Sequence, residues 1–99
     1  MIIEIEDIIG QKKALGHVQM PPNWTLGQIL AESETLRELD KSVVYVTFNG
    51  MKVDNWRELS PGIGDRVSIK IRPLELFSLF AGIISAIISV IRTIVSLTT

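Results

Sequence analysis

The sequence contains no cysteine and a single histidine, His17. The absence of cysteine excludes disulfide bonds, thiolate nucleophiles and cysteine-bound zinc. One histidine is too few for a histidine-based metal site within one chain. We therefore predict no metal and no cofactor, and we interpret His17 as a solvent-exposed residue on a strand.

The chain also lacks an excess of charge of either sign. Its 99 residues include 10 Lys and Arg and 11 Asp and Glu, a net charge of −1. No overall field attracts nucleic acid, so we predict no direct readout of nucleic acid. The N-terminus has neither the basic start nor the long apolar core of a secretory signal. Between residues 76 and 99 the single charged residue is Arg92, and this segment accounts for much of the positive mean hydropathy of +0.33.

No group of residues forms a convincing catalytic set. Glu4, Glu6 and Asp7 are interpreted as a solvated strand edge and turn. The Gly62-Ile63-Gly64 stretch lacks a third glycine and a following helix, so it indicates a turn and not a phosphate-binding loop. We predict that the protein is not an enzyme.

The first half of the chain predicts two strands and a helix. Residues 1–9 alternate apolar and polar side chains, which favours a strand, and residues 14–20 form a second strand that Pro21-Pro22 stops. Thr25 is a suitable N-cap for a helix over residues 26–39. The apolar side chains of that helix share one face: Leu26, Ile29, Leu30, Leu36 and Leu39.

The second half predicts three more strands. Residues 43–48 lack polar alternation, which is typical of a central strand buried on both faces. Asn49-Gly50 is the pair that best tolerates the positive φ angles of a tight hairpin, and residues 51–53 form the return strand. A turn-rich stretch over 60–65 leads into a final strand over 66–72.

This order of elements predicts an α+β fold. We predict a β-grasp (ubiquitin-like) domain over residues 1–73, followed by a single hydrophobic C-terminal helix over residues 74–99. With this division, a chain that ends at Pro73 would stay folded and soluble. The whole chain would aggregate or require detergent.

The stretch VTFNGMKVDNWRELSPGIGDRVSIKIRPL, residues 46–74, resembles the second half of ubiquitin-like sulfur-carrier proteins. The shared features are a strand, an Asn-Gly turn, a loop and a "GDRV" turn before the last strand. Sulfur carriers end in a diglycine, whereas this chain continues beyond Leu74 and ends in Leu97-Thr98-Thr99. The resemblance implies the fold and not the carrier chemistry.

A β-grasp domain followed by an apolar segment rich in Gly, Ala and Ile is similar to the lambda-type phage tail assembly proteins. The hydrophobic segment of this chain is shorter than that family implies. The resemblance implies a structural virion protein of the tail tip. Its partners would be the tail hub or central fibre protein and other tail-tip proteins. The β-grasp domain would dock on the hub, and the helix would sit in the tip lumen or enter the host envelope.

The C-terminal segment could span a membrane, anchor in another protein or complete the domain's own core. Its uncharged part, residues 76–91, is shorter than the roughly 20 residues of a spanning helix, unless the helix continues to Thr99 with Arg92 snorkelling. An apolar seam at heptad-like spacing predicts a helix-bundle interface in a homo-oligomer. Isoleucine at both core positions favours three- or four-stranded assemblies over dimers, and we predict a trimer. The seam consists of Phe80, Ile84, Ile87, Ile91 and Ile94.

A stripe of small and polar residues follows the same rhythm along the segment. It would either ease close helix packing or line a wet lumen. The stripe consists of Ser78, Gly82, Ser85, Ser89, Arg92 and Ser96. Two other functions remain open at this point. One is a membrane-anchored adaptor or pore-forming protein with a β-grasp cap, and the other is a ubiquitin-like carrier, which the missing diglycine disfavours.

Overall fold

The computed structural model describes residues 1–10, 13–72 and 80–98, with the side chains of residues 80, 81 and 98 excepted. These residues form five strands, three α-helices and a 3₁₀ turn at Trp56–Glu58. The strands are β1 (Ile2–Asp7), β2 (Lys13–His17), β3 (Val43–Phe48), β4 (Met51–Val53) and β5 (Arg66–Ile71). The helices are α1 (Leu26–Leu30), α2 (Glu34–Ser42) and α3 (Phe80–Thr98).

The five strands form one mixed sheet in the order β2-β1-β5-β3-β4. β1 and β5 are parallel, and the other neighbouring pairs are antiparallel. The α+β class and the C-terminal helix are confirmed, and the sheet is consistent with a β-grasp-like arrangement. Residues 43–48 form an interior strand as predicted, since β3 lies between β5 and β4, although β5 holds the centre of the sheet. The prediction that this strand is buried on both faces is wrong, because Val46 is its one fully buried residue. Tyr45 and Thr47 of β3 face away from the core and are only half buried.

The Asn49-Gly50 pair connects β3 to β4 as the sequence predicts. Asn49 has a φ of 51° and Gly50 a φ of 87°. Two consecutive positive φ angles are what a tight hairpin turn between twisted strands requires, and asparagine and glycine adopt them at the lowest cost. The short β4 is therefore held against β3 by local sequence chemistry.

The predicted single helix over residues 26–39 is divided into α1 and α2. Thr25 caps α1: its hydroxyl oxygen accepts from the Gln28 N–H, and the Gln28 side-chain oxygen accepts from the Thr25 N–H, which completes a capping box. The single-helix prediction fails at Ser33, whose extended backbone starts a second helix and whose hydroxyl accepts from the Leu36 N–H at 3.1 Å. The apolar face nevertheless stays continuous, because its five predicted members are all buried: Leu26, Ile29, Leu30, Leu36 and Leu39.

Helix α3 packs on the same side of the sheet as α1 and α2 and shares their hydrophobic core. It contacts β2, β1 and both shorter helices. Its core-facing side chains belong to one cluster with Ile3, Ile5 and Ile69. Those side chains are Ile83, Ile84, Ile87, Ile91 and Ile94.

This packing corrects the interpretation of the apolar seam. Ile84, Ile87, Ile91 and Ile94 were predicted to join helices of different chains, but within this chain they are between 1% and 6% exposed. The cause is the isoleucine-lined sheet, which offers the nearest apolar surface. The side chain of Phe80 and the predicted boundary at residue 73 lie outside the described residues. Removing α3 would uncover the core, so the structure does not support the expectation that residues 1–73 stay folded alone.

Gly16 lets α3 approach the sheet at β2. A Cβ atom at this position would lie 2.6 Å from the Cγ2 atom of Ile84, closer than two carbon atoms can pack. An isolated glycine within a strand commonly marks such a close approach. Side chains of α3 thus occupy the space that a side chain at position 16 would fill.

Candidate docking surface

No helix of the described residues packs on one face of the sheet, and we call this face the open face. Side chains alternate between the two faces of a sheet, and the buried Ile3, Ile5 and Ile69 point to the helices. Their neighbours along each strand therefore point the other way. The open face consists of Lys13, Leu15 and His17 of β2; Ile2, Glu4 and Glu6 of β1; Arg66, Ser68 and Lys70 of β5; Tyr45 and Thr47 of β3; and Lys52 of β4.

Two ion pairs cross the open face between neighbouring strands. Lys13 of β2 pairs with Glu4 of β1, and Lys70 of β5 pairs with Glu6 of β1. The pKa of Lys70 is raised, chiefly because its ammonium donates a hydrogen bond to Glu6, while partial burial opposes the shift. The pairs hold Glu4 and Glu6 in place, and Glu4 is only 6% exposed. The interpretation of these carboxylates as a solvated strand edge is wrong, because β1 lies inside the sheet between β2 and β5.

The part of the open face formed by Arg66, Tyr45 and Lys52 carries an aromatic ring and two cations that form no ion pair with a described carboxylate. The Lys52 ammonium lies 5.2 Å from the centroid of the Tyr45 ring, within the range of a cation–π contact. Arg66 is exposed, and among the described residues neither Lys52 nor Arg66 forms an ion pair. The open face holds four basic side chains and two carboxylates, a net charge of +2 with His17 neutral.

A hydrogen-bonded turn fixes the end of the open face near Arg66. The Asn49 side-chain amide donates to Asp65 Oδ1 at 3.1 Å, and Asn49 Oδ1 accepts from the Arg66 N–H at 2.9 Å. Asp65 Oδ2 accepts from the Gly62 N–H at 2.8 Å. The pKa of Asp65 lies below its ordinary value of 3.8, first because of the Gly62 N–H and second because of the Asn49 amide. This network links the β3–β4 hairpin to the start of β5.

The helix side of the molecule includes a segment with a net negative charge. Segment 32–42, which includes α2, contains four carboxylates and two basic residues. Glu38 pairs with Lys41 at 3.3 Å, and Asp40 pairs with Arg57 at 2.8 Å. Glu32 and Glu34 are exposed and form no ion pair with a described residue. We call the exposed side of this segment the acidic helix surface.

The predicted small and polar stripe lies on the outer side of α3. Gly82, Ser85, Ser89, Arg92 and Ser96 are all exposed, and Ser78 lies outside the described residues. Arg92 also lines a groove of about 530 Å³ between α3 and residues 17–22, whose walls include Met20, Pro21 and Ile91. The structure therefore brings the stripe together on one face.

Other predicted chemistry can be located within the described part of the chain. His17 is exposed at the end of β2, as the sequence predicts. Among the described residues, no three carboxylate or imidazole side chains are grouped to hold a metal ion. None of the described helices combines the length and apolarity needed to cross a membrane.

The open face could not be predicted from the sequence. The alternation of apolar and polar residues predicts the strands, but it does not tell which strands are neighbours in the sheet. A signal was present in the spacing of Arg66 and Lys70 and of Lys13 and His17, because residues four positions apart share one face of a strand. Without the order β2-β1-β5-β3-β4 these positions could not be assigned to one face.

Comparisons with known proteins give no match. No family model matches the chain. Neither a curated protein nor a solved structure is significantly similar to it.

Proposed function

We propose that this chain is a structural protein of a phage tail tip, built on a β-grasp domain, that docks on a larger partner through the open face of its sheet. The observation that carries the proposal is the open face itself. It is a surface of twelve side chains on which no described helix packs, with an aromatic ring, two cations that form no ion pair with a described residue, and a net charge of +2. The tail hub or central fibre protein is the proposed partner.

The fold supports the choice of protein class. The final strand lies between β1 and β3, parallel to β1, with the helices on one face. This is the order expected of a β-grasp domain, and a C-terminal helix follows it. Both parts agree with the resemblance to lambda-type phage tail assembly proteins, on which the assignment to a tail tip depends.

The open face is better suited to docking than to support of the fold. Its two ion pairs neutralise Glu4 and Glu6 within the sheet, so the charges of this face that have no ion pair among the described residues are cations. The remaining Lys52 and Arg66 can form charge-assisted hydrogen bonds to carboxylates of a partner. In this proposal α3 serves the domain's own core, and the sheet makes the contact with the particle.

The proposal is tested by complementation of a phage that lacks the gene for this chain. The open-face variant Lys52→Glu/Arg66→Glu is compared with Arg37→Glu/Lys41→Glu, which changes the net charge equally on the helix side. Circular dichroism and thermal unfolding establish that both variants are folded. We expect the open-face variant to be missing from purified particles and the control variant to be incorporated. Normal tails and full infectivity without the gene would overturn the assignment to a tail tip.

A further inference from the structure

We infer that the open face also binds the acidic helix surface of a second copy of this chain, so that copies associate head to tail. This inference rests on the proposed docking role of the open face. The copy next to the hub docks on it through its open face, and the open face of each further copy docks on the acidic helix surface of the copy before it.

The charges of the two surfaces are complementary. The open face presents Lys52 and Arg66 without carboxylate partners in the described part of the chain, and the acidic helix surface presents Glu32 and Glu34 without basic partners there. The remaining charged groups on both surfaces are largely paired within the chain, Lys70 with Glu6 and Asp40 with Arg57 among them. The acidic helix surface also carries the exposed Arg37, whose guanidinium donates to the Ala31 carbonyl oxygen and forms no ion pair with a described residue. The open face nevertheless has a net charge of +2 and segment 32–42 a net charge of −2, so the two surfaces are opposite in sign.

The two surfaces point in opposite directions. Leu36 and Leu39 of α2 are fully buried against the core side of the sheet, so the exposed side of α2 faces away from the sheet. A contact between the open face of one copy and α2 of the next is therefore heterologous. Such contacts produce a ring if the rotation between copies closes and a filament if it does not.

The size of the surface sets the strength of the association. Strands about 4.8 Å apart with a rise of about 3.3 Å per residue give the five-stranded face an area of roughly 400 Å². A stable interface buries about 800 Å² on each partner. A single contact is therefore weak, and it depends on attraction between exposed charges, which salt screens within about 3 Å at 1 M.

Sedimentation velocity of the full chain, over a concentration series at low salt and at about 1 M salt, measures this association. We expect species larger than one chain at high concentration and low salt, and one chain at high salt. Lys52→Glu/Arg66→Glu and Glu32→Lys/Glu34→Lys should each remain single chains. The control Arg37→Glu/Lys41→Glu keeps both free carboxylates and should associate at least as well as the unaltered chain.

The decisive experiment mixes the two charge-reversal variants, Lys52→Glu/Arg66→Glu and Glu32→Lys/Glu34→Lys. Each variant alone presents two surfaces of like sign, whereas in the mixture the acidic sheet of one faces the basic helix of the other. We expect association to return in the mixture. A chain that stays single at low salt, or association that neither reversal alters, would overturn the inference.

The two experiments distinguish failure of the self-association from failure of the proposed docking role. If the chain never self-associates but Lys52→Glu/Arg66→Glu is still missing from particles, the open face docks on a different acidic protein and only the second copy is wrong. If that variant is incorporated like the control, the docking role of the open face is itself wrong.

Discussion

At the scale of single residues, Asp65 and Asn49 show how two side chains connect neighbouring parts of the sheet. Asp65 is half-buried, and its two oxygens accept from the Gly62 N–H and the Asn49 amide. Both hydrogen bonds favour the charged carboxylate over the neutral acid. Asn49 also accepts from the Arg66 N–H. One side chain thus links the turn before β5 to the hairpin after β3, at the end of the open face.

The lowered pKa of Asp65 predicts a dependence of stability on pH. Because the pKa is lower in the folded than in the unfolded chain, the contribution of Asp65 is present above the ordinary value of 3.8 and is lost as the pH falls through the folded value. We expect Asp65→Asn to be less stable than the unaltered chain at neutral pH and equally stable in strong acid. Urea unfolding at a series of pH values measures this. A difference that does not change with pH would contradict the prediction. Asp54→Asn, at an exposed position near the start of the same connection between β4 and β5, is the matched control.

At the level of elements, the contact between β2 and α3 shows how a strand residue positions a helix. Gly16 faces the core side beside Ile3, its partner in register. Its missing side chain admits Ile84 and Ile88 of α3, whose carbon atoms lie 2.6 and 3.7 Å from the position of a Cβ atom. The Cγ2 atom of isoleucine is attached to a branched Cβ and cannot swing aside without a change of rotamer.

Gly16→Ala is therefore expected to destabilise the protein. Overpacking of a core typically costs about 1–3 kcal/mol, and that cost exceeds the gain of about 0.4–1 kcal/mol from a stiffer unfolded chain. Gly62→Ala makes the same change where a Cβ atom meets only Asp65 Oδ2, at 3.6 Å, and it should be neutral or slightly stabilising. The free energies of unfolding in urea measure both. Equal stability of the two variants would show that α3 does not lie against β2.

The whole molecule has one core to which strands and all three helices contribute. The buried cluster joins residues from both ends of the sequence, from Met1 to Ile94. Burial of apolar side chains contributes roughly 1.5–3 kcal/mol each, so the five buried isoleucines of α3 form a large share of the stabilisation. Helix α3 completes the core that the two shorter helices leave partly open.

Substitution of Ile87 separates a core within one chain from a seam between chains. Ile87 is 1% exposed, and Ile87→Ala is expected to cost about 2–5 kcal/mol. Ile63→Ala, at a position that is 88% exposed, should change stability by less than about 0.5 kcal/mol. Urea unfolding at two protein concentrations provides the measurement. For a core within the chain, the loss at Ile87 does not depend on concentration. A loss that disappears on dilution would indicate an interchain seam.

The sequence by itself determined the local features of this protein. Thr25 caps a helix, Asn49-Gly50 makes a hairpin, and β1 and β5 alternate, because capping, turn formation and alternation depend on residues a few positions apart. The periodicity of residues 83–94 likewise identified the face of α3 that is buried, since that period belongs to the helix. The division of the predicted helix at Ser33 was not found, because serine can face water within a helix as well as cap one.

Only the tertiary structure decided what covers that apolar face and which strands are neighbours. Apolar burial has no direction, so a seam of isoleucines fits a lipid bilayer, a second chain or its own sheet equally well. Gly16, a glycine within a strand, indicates that another element packs closely on β2. Only the tertiary structure shows that this element is α3. The open face depends in the same way on strand order: the placement of β5 between β1 and β3 is what brings Lys70, Glu6 and Tyr45 together from positions that are far apart in the chain.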